Sequence, residues 1–239
     1  MNISIFVPCC VDQFTPATAS NLVKLLESLG HTVEYVPEQT CCGRLLYDNG
    51  NWDEAKAIGE KFIDDFKHAE LIVSCSTSCV GYLKNNFGKL FFNTINHNSC
   101  KQLRDKIMDI SEFLVSVERK TDLGSEFPHK VCLHSNCRGL SEYNVEEETK
   151  LLLQGVKGLE LTNDKTDNFC CGFGGTFSIY NEPVSTALAK KKVEKALAEG
   201  AEYIVSNDAS CLMHLQTYID KHKISLKTIH LVDLLMHNK

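Results

Sequence analysis

Val73-Ser74-Cys75-Ser76-Thr77-Ser78-Cys79 runs beside Val205-Ser206-Asn207-Asp208-Ala209-Ser210-Cys211 without a gap. Upstream, Thr40-Cys41-Cys42-Gly43 pairs with Phe169-Cys170-Cys171-Gly172, and Pro8-Cys9 pairs with Asn136-Cys137. The partners Cys9 and Cys137, Cys41 and Cys170, and Cys79 and Cys211 are 128, 129 and 132 residues apart. Three registers that agree this closely read as a tandem duplication. The break falls at Arg119–Pro128, where charged residues, Gly124, Ser125 and Pro128 form a linker-like stretch. The expected division is a first half at 1–122 and a second at 129–239.

The pattern around these motifs predicts the fold. Ile3–Val7 is a short apolar run suited to a buried strand. Thr15-Pro16 then supplies an N-cap and a proline at the first helical position; Leu22, Leu25, Leu26 and Leu29 follow at helical spacing, and Gly30 ends the helix. Strands at Thr32–Val36 and Leu71–Ser74 flank a helix over Asp53–Phe66. The second half repeats the order: strand Lys130–His134, helix Glu146–Gln154, strand Leu159–Thr162, helix Val184–Glu199, strand Tyr203–Ser206. A strand at Lys227–His230 and a helix at Leu231–Met236 finish the chain. Strands that alternate with helices imply parallel sheets covered on both faces. The expectation is an α/β protein of two tandem, pseudo-repeated, Rossmann-like halves.

Composition narrows the function. The 239 residues carry 25 Lys and Arg against 31 Asp and Glu, a net charge of −6, which argues against nucleic acid or an anionic membrane as partner. Hydrophobic residues at 43% and charged residues at 23% fit an ordinary globular protein. No integral membrane segment and no signal peptide is read, so a cytoplasmic, reducing location is expected. Against that background stand 12 cysteines. In a reducing compartment thiols pack as small apolar groups, bind metal or do redox chemistry, and structural disulfides are rare.

Position separates these roles. Cys9 and Cys137 follow the first strand of each half, the Cys-Cys-Gly triplets follow the second, and Cys79 and Cys211 follow the third and open a helix. These are carboxyl ends of parallel strands, the edge where ligands collect. Helix N-termini there favour thiolates. Cys10, Cys100 and Cys132 lack a repeat partner and read as core. Cys75, replaced by Asn207 in the second half, lies four residues before Cys79.

The spacing of Cys9, Cys41-Cys42-Gly43 and Cys79, duplicated, resembles the cysteine-rich CCG-domain proteins. That group includes the cysteine-rich subunit of heterodisulfide reductase and the iron–sulfur subunits of glycolate and anaerobic glycerol-3-phosphate oxidases. Phe169-Cys170-Cys171-Gly172-Phe173-Gly174-Gly175-Thr176-Phe177-Ser178 and Asp208-Ala209-Ser210-Cys211-Leu212-Met213-His214 are similar to signatures of the lactate-utilisation protein A branch. The resemblance implies an iron–sulfur electron-transfer subunit of an oxidoreductase complex that oxidises L-lactate to pyruvate. It implies a ferredoxin-like iron–sulfur subunit and a third small subunit as partners. It also implies one or two 4Fe-4S clusters held by Cys9, Cys41, Cys42, Cys79 and by Cys137, Cys170, Cys171, Cys211. Heterodisulfide reductase ends its motif in Cys-x-x-Cys, whereas here Tyr82 and His214 stand three residues after Cys79 and Cys211. Ordinary four-cysteine ligation thus becomes an alternative to a noncubane cluster, with Cys75 a candidate fifth ligand in the first half.

Two other readings stay open. Cys211-x-x-His214 and His134-x-x-Cys137 have ligand-like spacing for zinc in a structural Cys3His set. A cluster-free dithiol–disulfide protein would use Cys41, Cys42 and Cys79. Gly172-x-Gly174-Gly175 is not a dinucleotide fingerprint and reads as backbone packing about the cysteines. Lys190, Lys191, Lys192 and Lys195 read as a solvated helix face. Arg44 and Arg138, each beside a repeated cysteine, read as surface residues or as anion or potential-tuning groups. No catalytic triad or lactate pocket is legible.

Overall fold

The computed structural model describes residues 1–162 and 169–237. In the first half the elements are β1 (Asn2–Phe6), α1 (Cys9–Phe14), α2 (Pro16–Ser28), β2 (Thr32–Tyr35), α3 (Arg44–Asp48), α4 (Trp52–Asp65), β3 (Ile72–Ser74) and α5 (Thr77–Asn85). They are followed by α6 (Phe87–Leu90), α7 (His97–Lys106), β4 (Ile107–Asp109), α8 (Ile110–Glu112) and a π-helical turn at Phe113–Val117. The second half has β5 (Lys130–Leu133), α9 (Cys137–Glu142), α10 (Glu146–Gln154), β6 (Glu160–Leu161), α11 (Phe177–Tyr180) and α12 (Glu182–Ala198). It closes with β7 (Tyr203–Ser206), α13 (Ala209–Lys221), β8 (Lys227–His230) and α14 (Leu231–Leu235).

Each half builds one parallel four-stranded sheet, ordered β2-β1-β3-β4 and β6-β5-β7-β8. The matching orders are the structural form of the sequence repeat. In this order the chain leaves β1 on one side and returns to β3 on the other, which opens a crevice at the carboxyl ends of β1 and β3. The strands form where the apolar runs predicted them, and the central ones are sealed on both faces: Ile3, Ile72, Val73 and Val205 are fully buried. In α2, Pro16 occupies the first turn, and Leu22, Leu25 and Leu26 are buried.

Three features depart from the sequence reading. β4 was not predicted; three residues between the charged end of α7 and the polar start of α8 leave too short a run to show a period. The stretch Arg119–Pro128 is no loose linker, since Leu123 and Phe127 are buried and Phe127 N–H donates to Lys157 C=O at 2.9 Å. They belong to an apolar core that draws on both halves, with Ile3, Val73, Ile110 and Phe113 against Val131, Leu152, Val205 and Leu231. Lys192, expected on a solvated face, is buried, whereas Lys190 and Lys191 are exposed. Lys191 lies over the Phe169 ring, 3.3 Å from its centroid.

The halves pack with an approximate exchange of roles. Helix α1 of the first half lies on α13 of the second, and α9 of the second lies on α5 of the first. These four helices are the ones that carry Cys9, Cys211, Cys137 and Cys79. Among the described residues no helix is long and apolar enough to cross a membrane.

Candidate metal centres

The repeated cysteines occupy equivalent places. Cys9 and Cys137 are the first residues of α1 and α9, and Cys79 and Cys211 are the third residues of α5 and α13. The Cys-Cys-Gly triplets lie in the loops after β2 and β6. In the first half Cys41 Sγ lies 3.7 Å from Cys9 Sγ, and Cys42 Sγ lies 3.5 Å from Cys79 Sγ. In the second half Cys171 Sγ lies 2.9 Å from Cys211 Sγ, and the Cys137 and Cys170 thiols are close enough to shift one another's ionisation. Two cups of four sulfurs result.

The glycine of each triplet makes this possible. Gly43 and Gly172 have φ of +83° and +97°, a region that L side chains rarely enter. A Cβ on Gly43 would stand 3.3 Å from Ala55 C=O in α4, and one on Gly172 only 2.4 Å from Ser185 C=O in α12. The reversed backbone turns the glycine N–H back onto the first cysteine: Gly43 N–H points at Cys41 Sγ (3.4 Å) and Gly172 N–H at Cys170 Sγ (3.3 Å). Phe173 N–H adds a contact to Cys171 Sγ at 3.5 Å.

The sulfurs share protons unevenly, and in the same way twice. Cys41 is drawn down to about 3 by hydrogen bonds from Cys42 and Cys9, with Gly43 N–H assisting. Cys170 is likewise lowered by Cys137, Cys171 and Gly172 N–H. Their donors move the other way. Cys9 is raised by its contacts with Cys10 and Cys41, and Cys137 by its contact with Cys170. Cys42 and Cys171 are raised by neighbouring sulfurs and by burial. S–H and N–H donors thus favour the ionised form of the first cysteine of each triplet, and the contact with Cys9 lowers Cys10 likewise.

The remaining candidates separate. Cys75 is fully buried in the shared core with Val73, Ile110 and Leu231, whereas Cys42 and Cys79 belong to the adjacent cluster with Phe62 and Tyr82. Its replacement Asn207 donates to Asp109 Oδ1 (3.2 Å), Ser111 Oγ (2.8 Å) and Thr149 Oγ1 (3.1 Å), a buried polar knot between the halves. His134 is buried, and one of its ring nitrogens lies within 4.8 Å of both Cys171 Sγ and Cys211 Sγ, which are themselves that close. His214 instead meets Ser185 Oγ at 3.1 Å and packs near Phe173; burial lowers its pKa.

Two sequence assignments need refinement. Cys10, read as core, does pack against the shared apolar core, yet it is only half-buried and also lies beside the Cys9 thiol, so the first cup has a fifth sulfur at its edge. Adjacency to Cys9 was the signal, masked because Arg138 stands at the equivalent place. Arg44 is not a surface residue: its side chain is 12% exposed and held by Asp48 (3.3 Å), Glu142 (3.6 Å) and Ser78 C=O. The half-exposed Arg138 pairs with the same two acids, which closes a four-membered ionic ring across the halves. Cys100 and Cys132 are buried among apolar side chains.

The cups also differ. His134 follows β5 where Phe6 ends β1. Phe6 packs edge-on to Phe62, with ring centroids 4.9 Å apart, and to Phe66. The first cup thus has an apolar wall where the second has an imidazole.

A duplicated α/β chain with cysteines at the carboxyl ends of its strands defines a class of cysteine-rich domain protein. The chain matches the family described as CCG, cysteine-rich domain, over residues 3–84 and 131–216, one match in each half. It belongs to the lactate utilization protein A family within that class. Lactate utilization protein A of Oceanobacillus iheyensis is 34% identical over 236 residues, covering 98% of this chain and 96% of its own. Lactate utilization protein A of Anoxybacillus flavithermus is 33% identical over 238 residues, covering 99% and 100%. Lactate utilization protein A 1 of Bacillus mycoides is 32% identical over 241 residues, covering 100% and 98%. Among solved structures, a hypothetical protein from Helicobacter pylori superposes with a TM-score of 0.66 at 11% identity, covering 98% of this chain and 48% of that one. That likeness is one of fold.

Proposed function

We propose that this chain is an iron–sulfur electron-transfer subunit that serves lactate utilisation, with L-lactate oxidation to pyruvate carried out by a multi-subunit oxidoreductase. The observation that carries this reading is the gathering of four sulfurs in each half, with the first cysteine of each triplet hydrogen-bonded by its glycine N–H. The donor set fits an iron–sulfur group: it is rich in sulfur, fringed by N–H groups from Gly43, Gly172 and Phe173, and walled by apolar side chains. Cys9, Cys41, Cys42 and Cys79 would hold one 4Fe-4S cluster, and Cys137, Cys170, Cys171 and Cys211 a second. A cluster of this kind, when bound, accepts and returns one electron at a time. The chain's own residues provide the thiolates, direct N–H dipoles at the sulfurs and exclude water from Cys42, Cys79, Cys171 and Cys211. Relatives named for lactate utilisation support the substrate, and a ferredoxin-like iron–sulfur subunit and a third small subunit are the proposed partners.

One observation favours a second reading for the second cup. His134 beside Cys171 and Cys211 supplies the nitrogen of a Cys3His zinc site. Anaerobic purification followed by metal analysis and EPR decides. Several irons per chain with a reducible cluster signal support the electron-transfer role. A single zinc per chain without iron overturns it.

A further inference from the structure

Asp208 is 2% exposed and lies where the two halves meet. Its place in the repeat is that of Ser76, so one half presents a hydroxyl where the other presents a carboxylate. The carboxylate does not cap its own helix, α13. It reaches into the other half, where Oδ1 accepts from Ser76 Oγ (2.8 Å) and Ser78 Oγ (2.6 Å) and Oδ2 accepts from Ser78 N–H (3.1 Å); within its own half, Oδ2 also accepts from Asn136 Nδ2. Four donors match the acceptor capacity of one carboxylate, and such hydrogen bonds favour its ionised form. Burial pushes its pKa up, and these donors together with the nearby Arg44 charge oppose that push.

Each donor leads to a cysteine-bearing helix start. Ser76 is the N-cap of α5 and accepts from Cys79 N–H at 3.4 Å. Ser78 immediately precedes Cys79. Asn136 is the N-cap of α9, accepts from Gly139 N–H, and immediately precedes Cys137. Asp208 itself precedes α13, three residues before Cys211. The N-terminal ends of α5, α9 and α13 therefore share one anion, which their dipoles favour.

We propose that Asp208 is a positioning residue common to both cups: its buried charge sets Cys79, Cys137 and Cys211 together, so that the two centres are coupled in geometry and in potential. The coupling in potential rests on the metal-centre reading above; the coupling in geometry does not. Removal of a buried negative charge near both centres favours their reduced, more negative states, so both potentials rise together.

The test uses the full chain in two arms. In the first, metal-free protein is alkylated with iodoacetamide and each cysteine is followed by peptide mass spectrometry. Ser78→Ala removes one hydroxyl donor and alters only the first half. It should speed alkylation of Cys137, in the unaltered half, by several-fold, while Cys100 keeps its protection as a control for folding. An unchanged rate at Cys137 overturns the geometric coupling. In the second arm, iron-reconstituted Asp208→Asn is titrated electrochemically. Both potentials should shift upward; a shift confined to one centre overturns the electrostatic coupling. Protein that takes up no iron defeats the reading of function and leaves the alkylation arm to decide this one.

Discussion

Cys171 Sγ and Cys211 Sγ stand 2.9 Å apart in the buried floor of the second cup. A disulfide would bring them to about 2.05 Å, so they are two sulfurs in contact and not a bond. The Cys171 S–H donates to Cys211 Sγ, so the pair is held by a hydrogen bond between sulfurs. Cys42 and Cys79 repeat the arrangement at 3.5 Å. Each cup, and the interface behind it, is therefore open to test by single substitutions.

Cys171→Ser should remove the metal of the second cup and leave that of the first, and Cys42→Ser should do the reverse. Iron analysis and EPR on the two variants check this, each expected to lose one set of signals. Loss of both from either variant would show a single shared centre. The folding cost in metal-free protein should stay at about 1–2 kcal/mol, because a hydroxyl replaces a buried thiol of similar size.

His134→Phe gives the second cup the wall that Phe6 gives the first. If thiolates alone hold iron, the variant keeps its iron while its zinc affinity falls by at least about 10-fold. Competitive metal titration reads both quantities. Loss of iron with zinc affinity unchanged would move the imidazole into the iron ligand set.

Gly172→Ala should destabilise by about 2 kcal/mol or more, because its Cβ meets Ser185 C=O at 2.4 Å and its φ is +97°. Gly43→Ala should cost nearer about 1 kcal/mol, since the matching approach to Ala55 C=O is 3.3 Å. Denaturant unfolding of the two metal-free variants, compared side by side, checks the order.

Burial raises Asp109 to about 7, although Ser111 and Asn207 donate to its Oδ1; among the described residues its Oδ2 has no hydrogen-bond partner. The folded state thus keeps a proton that the unfolded chain has lost. This contribution to stability is fully present below about pH 4 and is lost as pH rises to about 7. Asp109→Asn removes the effect, so unfolding free energies measured across that window should move in the variant's favour as pH increases. A constant difference between the two proteins would place the folded pKa at its ordinary value.

Arg44→Met should cost about 2 kcal/mol, because it removes the buried cation of the ring and leaves Glu142, whose side chain is 13% exposed, paired with Arg138 alone. Arg138→Met, at a side chain 50% exposed, should cost less than about 1 kcal/mol. Chemical denaturation of each metal-free variant separates them.

Much of the architecture was legible because it is written in local patterns. Apolar runs gave the strands, Thr15-Pro16 and the leucines after it gave α2, and the repeated registers gave two sheets of one order. The position of each repeated cysteine at a strand end followed from the same patterns. β4 escaped because three residues carry no period, and the burial of Leu123 and Phe127 escaped because a polar, glycine-containing stretch looks alike whether it is free or pinned to a neighbour.

What the sequence determined by itself is therefore the duplication, the parallel α/β sheets and the strand-end location of eight sulfurs, all consequences of the order of residues along the chain. Only the tertiary structure decided which atoms meet. It set Cys10 beside Cys9, His134 beside Cys171 and Cys211, Arg44 in an ionic ring, Cys75 in the core and Asp208 among helix starts of both halves. Those relations join residues from different helices and strands, and several join the two halves. Their distances are fixed by how packed elements cross in space, a quantity that neighbours in sequence do not encode.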